Sequence, residues 1–492
     1  MQILRLASRK EYLVYWIGLV FVLLNSILLY FEIYYLPLLP VLVAIAWMAF
    51  TRLDRVVYLT VFFVPLSIQL SEIIKGTSFD LYLPTEPLLA GVMILFFIKY
   101  LRGQRIDIRI LRHPVTLAIY FNLAWIGITT ITSSMPLVSV KFLIARLWFI
   151  ISFYLLLAQI FQNPKRIRQY LWAYIIPFTL VIFYVLIRHS EYGLNSQIAS
   201  HFVVKPFYND HTSYGAVLAM LFPVMIGILV SYRKIDSGQT ILFILLLLLY
   251  AAAIVFSYTR AAWVSLVGIF GIWIIIKLRI KIHFVLTGFI LLAALVFSLR
   301  TEIKMKLEQN TQESSGEFTE HVQSIANVRN DASNLERINR WNSALRMWEE
   351  RPVFGWGPGT YMFQYAPFQV SHEKTRISTN TGTRGNAHSE YLGPLSESGV
   401  LGMISIIIVF LTTIYTGLRV YFNSKNREVK IISLAVLLGL ITYYVHGILN
   451  NFLDTDKASA LVWGYTAILV AFDIYGGKGM EKSEVEEENS DR

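Results

Sequence analysis

Apolar runs long enough to cross a bilayer alternate with short polar connections along most of the 492-residue chain. The first run, Tyr12 to Phe31, follows Arg5, Arg9 and Lys10, carries no small-residue cleavage site and predicts a first transmembrane helix rather than a removable leader. Counting the runs predicts about 12 to 14 spans, and so an all-α polytopic integral membrane protein, because repeated spans of this kind satisfy their backbone only as helices. One interruption is long: Arg300 to Glu397 is mostly polar and predicts a folded loop outside the membrane. The expected organisation is therefore a transmembrane bundle over 1–299, a large loop subdomain over 300–397, C-terminal transmembrane helices over 398–476, and an acidic, disordered tail over 477–492.

Within the large loop the period changes. Leu335, Ile338, Trp341, Leu345 and Trp348 recur at three- and four-residue spacing, which predicts an amphipathic helix over 334–350, ended by Pro352 and Gly355. Its apolar face would lie on the membrane interface or close over a cavity.

Composition agrees with a bilayer solvent: 55% of residues are hydrophobic and the mean hydropathy is +0.55. The formal charge of +11 would suggest nucleic acid in a soluble chain, but here the cations gather in alternate connections. Arg52 and Arg55, the run from Lys99 to Arg112, Lys165 to Arg168, Arg233 and Lys234, and Lys277 to Lys281 all fall where one orientation requires them. That is the positive-inside pattern; it excludes a nucleic-acid reading and predicts a multi-pass membrane protein with the large loop on the side away from the cytoplasm. The absence of cysteine excludes thiol chemistry, and there is neither a phosphate-binding glycine loop nor a fixed-period repeat.

Four places on the outward side carry candidate chemistry. Arg260 sits in a tight connection between two apolar helices; it either snorkels to headgroup phosphates or anchors a substrate phosphate through its bidentate fork. Arg337 and Arg340 belong to the loop helix, either as part of a solvated basic face or, for Arg337, on the edge it shares with Trp341. His388, followed by Ser389, closes the polar loop where the chain turns back into the membrane, either as a hydrogen-bonded structural histidine or as a titratable catalyst. Asn209-Asp210-His211 opens an apolar run; helix capping explains the first two residues, and His211 would border the same cavity.

The segments Arg337-Ile-Asn-Arg-Trp341, Arg351-Pro-Val-Phe-Gly-Trp-Gly-Pro-Gly359 and His388-Ser389, nine residues, Gly399, two residues, Gly402 resemble the O-antigen ligase and polymerase superfamily of bacterial envelopes. The resemblance implies a glycosyltransferase that moves a glycan from undecaprenyl diphosphate to an acceptor at the periplasmic face. Lipid A-core is the first expected acceptor; a growing polymer or a protein hydroxyl are the alternatives, and a lipid-linked glycan transporter is the reading from a different class. It also implies diphosphate binding by Arg260 and Arg337, with Arg340 as the alternative loop arginine, and His388 at the reacting centre. His211, Ser389 and Trp341 would line the cavity. The expected partners are the lipid-linked donor, the acceptor and membrane lipids. Displacement at the anomeric carbon would invert it, and neither a metal nor another cofactor is expected, since guanidinium groups would supply the positive charge.

Overall fold

The structure, a computed structural model, describes residues 9–32, 36–74, 81–232, 236–299, 332–375, 378 and 385–476. It is helical almost throughout, with one two-stranded antiparallel ribbon pairing Ile68 with Leu83 and Gln69 with Tyr82. The predicted tail over 477–492 and the start of the large loop over 300–331 lie outside the described residues.

The chain divides into two compact units, Met1–Val56 and Val57–Arg492. The first holds α1 (Arg9–Tyr30) and α2 (Leu38–Thr51), both apolar with many exposed large side chains, as expected of lipid-facing helices. The helix α3 (Leu53–Phe63) begins at the end of this unit and runs into the second.

In the second unit follow α4 (Thr85–Leu101), α5 (Pro114–Ile131), α6 (Pro136–Ile160), α7 (Lys165–Glu191), α8 (His211–Ser231), α9 (Ser237–Phe256), α10 (Arg260–Lys277) and α11 (Ile282–Ser298). The loop helix is α12 (Ala332–Glu350), and α13 (Leu392–Asn423), α14 (Arg427–His446) and α15 (Asp456–Tyr475) complete the chain. Among the described residues nine helices are long and apolar enough to cross a membrane: α5 to α10 and α13 to α15. The other runs counted in the sequence form shorter or less continuous apolar helices, α1, α2, α4 and α11 among them. The protein is an all-α polytopic membrane protein.

Burial separates centre from rim. The most apolar window of α15 is 83% buried, that of α14 78% and that of α8 72%, against 22% for α9 and for α10. Close helix approach explains the centre: a Cβ at Gly439 of α14 would lie 2.6 Å from the Met220 carbonyl oxygen of α8. Small residues at such crossings replace the hydrophobic drive that lipid cannot supply.

The connections of the second unit segregate into two sets. In one, Lys205 pairs with Glu72 at 2.8 Å, Asn209 Nδ2 donates to Tyr82 Oη at 2.9 Å and Ser134 N donates to the Trp356 carbonyl at 2.9 Å. In the other, Tyr475 Oη donates to Asp107 at 2.7 Å, His113 meets Asp473 at 3.1 Å and Arg168 meets Glu428 at 2.8 Å. Arg427 Nη2 extends this second set to the Val230 carbonyl at the end of α8. The charge alternation in the sequence sorts the same connections in the same way.

The loop helix forms where the period predicted it, but its burial is inverted. Glu336, Asn339, Arg340, Ser343, Ala344 and Met347 are buried, whereas Leu335, Ile338, Trp341 and Trp348 are partly exposed and Leu345 is exposed. The cause is the segment that follows: residues 361–375 wrap the polar side, with Asn339 Nδ2 donating to Gln369 Oε1 at 2.8 Å, Tyr361 Oη to the Arg340 carbonyl at 2.8 Å and Arg346 pairing with Glu373 at 2.8 Å. Buried polar groups of this kind are stable only when partnered, and here the partners come from that segment.

Candidate functional site

The local shape of the site follows from a break in α13. Gly399 has φ 70° and ψ −170°, and the helix is cut there into Leu392–Ser398 and a long continuation. A break frees backbone groups, and each finds a partner. Trp356 N donates to the Ser396 carbonyl at 3.1 Å, Gly357 N to the Glu397 carbonyl at 2.7 Å, and Val400 N to the Pro352 carbonyl at 3.1 Å. Trp125 Nε1 takes the Ser398 carbonyl at 2.7 Å. A Cβ at Gly399 would lie 2.0 Å from the Val353 carbonyl oxygen, so only glycine admits this docking. The Arg-Pro-Val-Phe-Gly-Trp-Gly segment and the spaced glycines after His388 are thus two halves of one joint.

His388 stands at the head of that joint, with a left-handed φ of 48°. Its amide donates to Asn386 Oδ1 at 3.1 Å, its carbonyl accepts from Trp341 Nε1 at 3.2 Å, and two residues on Glu390 N donates to the Gly447 carbonyl at 2.8 Å. A non-glycine residue held in this region marks a constrained turn, as functional sites often do. Ser389 caps the helix that follows, its Oγ accepting from Tyr391 N at 3.2 Å and Leu392 N at 3.3 Å. Glu390 is buried and accepts at 2.7 Å from Phe452 N, at 2.9 Å from Leu453 N and from the Tyr443 hydroxyl, which ties the connection between α14 and α15 to the histidine turn.

The guanidinium of Arg337 lies within electrostatic reach of His388, His211 and His446, and that of Arg260 within reach of His211. Arg260 is the first residue of α10; the preceding Thr259 donates its hydroxyl to the His211 carbonyl at 2.8 Å, which seats the α9–α10 turn on the start of α8. Asp210 caps α8, accepting from Ser213 N at 2.8 Å and Thr212 Oγ1 at 2.6 Å. Burial first, then Arg337 and Arg340, push the His388 imidazole down to about 4, so it is neutral at neutral pH with a lone pair available.

Arg340 is placed differently from its neighbour. It is 4% exposed, pairs with Glu336 at 2.7 Å, and lies 4.4 Å from the centre of the Tyr365 ring. The Gly385 backbone passes so close that a Cβ there would lie 1.4 Å from Arg340 Nη1.

A cavity of about 430 Å³ opens beside His388. Its wall near the histidine is made by Asp210, Asn386 and Arg340, while Trp341, Ser389 and His211 stand one step behind, holding the His388 backbone, capping α13 and packing on His201 with ring centres 4.1 Å apart.

Sequence reasoning did not single out the opposite wall. Asp454, which lines the cavity, pairs with Arg146 of α6 at 3.0 Å. The buried Lys457 donates to the Val64 carbonyl at 3.1 Å and the Ser67 carbonyl at 3.0 Å, and Asp456 accepts from Ser67 and Thr85 hydroxyls at 2.6 Å each. The signal was available for Arg146, an ionisable residue inside an apolar run, which in a membrane calls for a partner or a function; Lys457, beside Asp454 and Asp456 at the start of α15, reads as an ordinary polar helix end.

A polytopic membrane protein whose loop returns a histidine to the bundle beside arginines of a loop helix, with a further arginine from a helix start within reach of His211, is the class this geometry defines. Residues 243–407 match the family described as O-Antigen ligase, which spans the Arg260 turn, the loop helix, His388 and the Gly399 joint. That match supports the O-antigen ligase-like superfamily and, in general terms, a function of the O-antigen ligase or polymerase type. An uncharacterized protein of Haemophilus influenzae is 23% identical over 214 residues, 43% of this chain and 51% of the relative, so the chain spans about half the length of the curated relative it matches.

Proposed function

We propose that the protein is a glycosyltransferase of the periplasmic face of the inner membrane, moving a glycan from undecaprenyl diphosphate to an acceptor, with lipid A-core as the acceptor and O-antigen ligation as the reaction. The observation that carries this reading is a neutral His388 within electrostatic reach of Arg337 and Arg340 where the loop turns back into the bundle, with Arg260 and Arg337 both within reach of His211 at the start of α8. Arg260 and Arg337 bind the donor diphosphate, each guanidinium offering paired N–H donors to phosphate oxygens. Arg340, held by Glu336, keeps the Gly385–Asn386 backbone in place beside the diphosphate.

An acceptor hydroxyl attacks the anomeric carbon as the bond from that carbon to the diphosphate oxygen breaks. The electron pair leaves with the diphosphate, whose growing charge the arginines stabilise, and the hydroxyl proton passes to His388. One displacement inverts the anomeric centre. No metal takes part in this scheme, because the guanidinium groups supply the charge.

The test is lipopolysaccharide profiling of a strain lacking the protein. Core without attached glycan is the expected result. Core bearing a single repeat would assign the polymerase reaction instead, and intact lipopolysaccharide with under-glycosylated protein would assign transfer to protein hydroxyls.

A further inference from the structure

We infer that residues 352–359, the stretch after the loop helix, form a wedge that enters the bilayer beside α5 and α6 and presents Val353 and Phe354 to phospholipid. By sequence this stretch belongs to the polar loop, and its place in the lipid is independent of which glycan transfer the protein carries out. The Phe354 ring stacks on Trp125 of α5, with ring centres 5.8 Å apart and planes 14° apart. Trp125 precedes Ile131, the last residue of α5, by six residues, which sets it about 9 Å back along the helix. On the other side of the wedge a Cβ at Gly359 would lie 3.2 Å from the Phe142 ring, six residues into α6. The 18 residues of α5 span about 27 Å, against about 30 Å of bilayer hydrocarbon. So short a helix cannot raise its Ile131 end clear of the lipid without drawing Arg112 and His113 into it at the other end. Ionisable groups resist that, and His113 is held there by Asp473 at 3.1 Å. Trp125, and Phe354 with it, therefore lie below the headgroups.

Irregular backbone persists at that depth only where protein supplies its hydrogen bonds. Gly355 N donates to the Arg351 carbonyl at 3.1 Å, and Trp356 N and Gly357 N donate to the carbonyls freed by the break in α13. The Trp356 carbonyl accepts from Ser134 N at 2.9 Å and Ser134 Oγ at 2.7 Å, and the Pro358 carbonyl from Ser139 Oγ at 2.8 Å. Pro352 and Pro358 bring no N–H to satisfy. The polar edge of the wedge is thus turned inward, and what it shows outward is apolar: Val353 is 55% exposed and Phe354 43%. Phe121 and Ile128, four residues before and three after Trp125 on the same face of α5, are exposed too, so the two side chains extend a surface that a spanning helix already offers to lipid. Arg351 marks the rim. It is exposed, with its guanidinium carbon 4.0 Å from the centre of the Trp356 ring, a pairing of long cation and indole suited to the headgroup level.

The chain has no cysteine, so a single introduced cysteine carries a spin label at one place only. Full-length protein with Val353→Cys, labelled in nanodiscs of phosphatidylethanolamine and phosphatidylglycerol, can be read by power-saturation EPR with oxygen, which concentrates in lipid, and with a nickel chelate, which stays in water. Ile128→Cys on α5 and His372→Cys, at an exposed loop position, are the lipid and water references. The Val353 label should favour oxygen over nickel as the Ile128 label does, the reverse of the order at His372. Phe354→Cys, which gives up the stack on Trp125, takes its place if Val353→Cys fails to fold. Nickel accessibility equal to that at His372 would overturn the inference, and so would exclusion of both reagents, the sign of a protein partner covering the wedge.

Discussion

His388 and Ser389 are neighbours with different work to do. The imidazole lines the cavity, and the serine hydroxyl caps a helix. His388→Ala is therefore expected to lower the rate of transfer by 10² to 10⁴, with donor binding intact, while Ser389→Ala costs only the roughly 1 kcal/mol of a cap. Single-turnover rates alongside donor titration would separate the two. The His388 imidazole, pushed down to about 4 from an ordinary 6.5 by burial and then by Arg337 and Arg340, should stay neutral in the free protein through the mildly acidic range. The acid limb of kcat/KM should thus lie well below pH 6.5, and bound diphosphate, by offsetting the arginines, should move the acid limb of kcat upward. Superimposed limbs near pH 6.5 in both profiles would remove the histidine from the base role. Arg260→Lys and Arg337→Lys keep the charge but lose the fork, so both should impair transfer while inserting normally; full activity in both would leave them as structural cations. At this scale the sequence drew attention to Arg260 at a helix start, to His388 where the loop closes, and to Arg337 on the helix edge it shares with Trp341. Arg146, Asp454 and Lys457 stayed hidden, because their partners lie some 300 to 390 residues away in the chain and only folding brings them together.

Among the elements, α13 shows what periodicity misses. The hydrophobic pattern ends the polar loop at Glu397, yet helix already begins at Leu392, Gly399 cuts it, and the freed backbone groups hold the segment after α12. Gly399→Ala would force a side chain into left-handed backbone and into the Val353 carbonyl. We expect loss of transfer and a lower thermal midpoint in detergent, whereas Ala at an open helical glycine such as Gly268 should change neither. Glu390 makes a second element-scale test. Glu390→Ala would leave the Phe452 and Leu453 amides without their acceptor and loosen the connection carrying Asn451 and Asp454, at about 1 to 3 kcal/mol per buried donor; Glu390→Gln keeps an acceptor and should largely restore stability. The loop helix was readable from its spacing, but its buried side was not, since apolar periodicity says nothing about the 361–375 segment that covers the polar face.

Over the whole molecule, hydrophobic run lengths made the fold class plain and charge alternation sorted the connections. The number of crossings was less legible, because runs such as Leu38–Thr51 are apolar but short of a full span and length alone does not say how they sit. The orientation proposed here puts the loop over 300–397 outside and the chain end inside. Reporter fusions at Gly316 and at the C-terminus should read periplasmic and cytoplasmic respectively; reversed signals would move the whole site to the other face.

The claim on which everything else depends is transfer itself. It is tested most directly with purified full-length protein in nanodiscs, an undecaprenyl-diphosphate-linked glycan and lipid A-core, following glycan on the core and release of undecaprenyl diphosphate in excess chelator. The account predicts stoichiometric appearance of both products, with the anomeric centre inverted, and their near disappearance in His388→Ala that still binds donor. Wild-type rates in His388→Ala, or activity lost in chelator and restored by Mg²⁺, would contradict it.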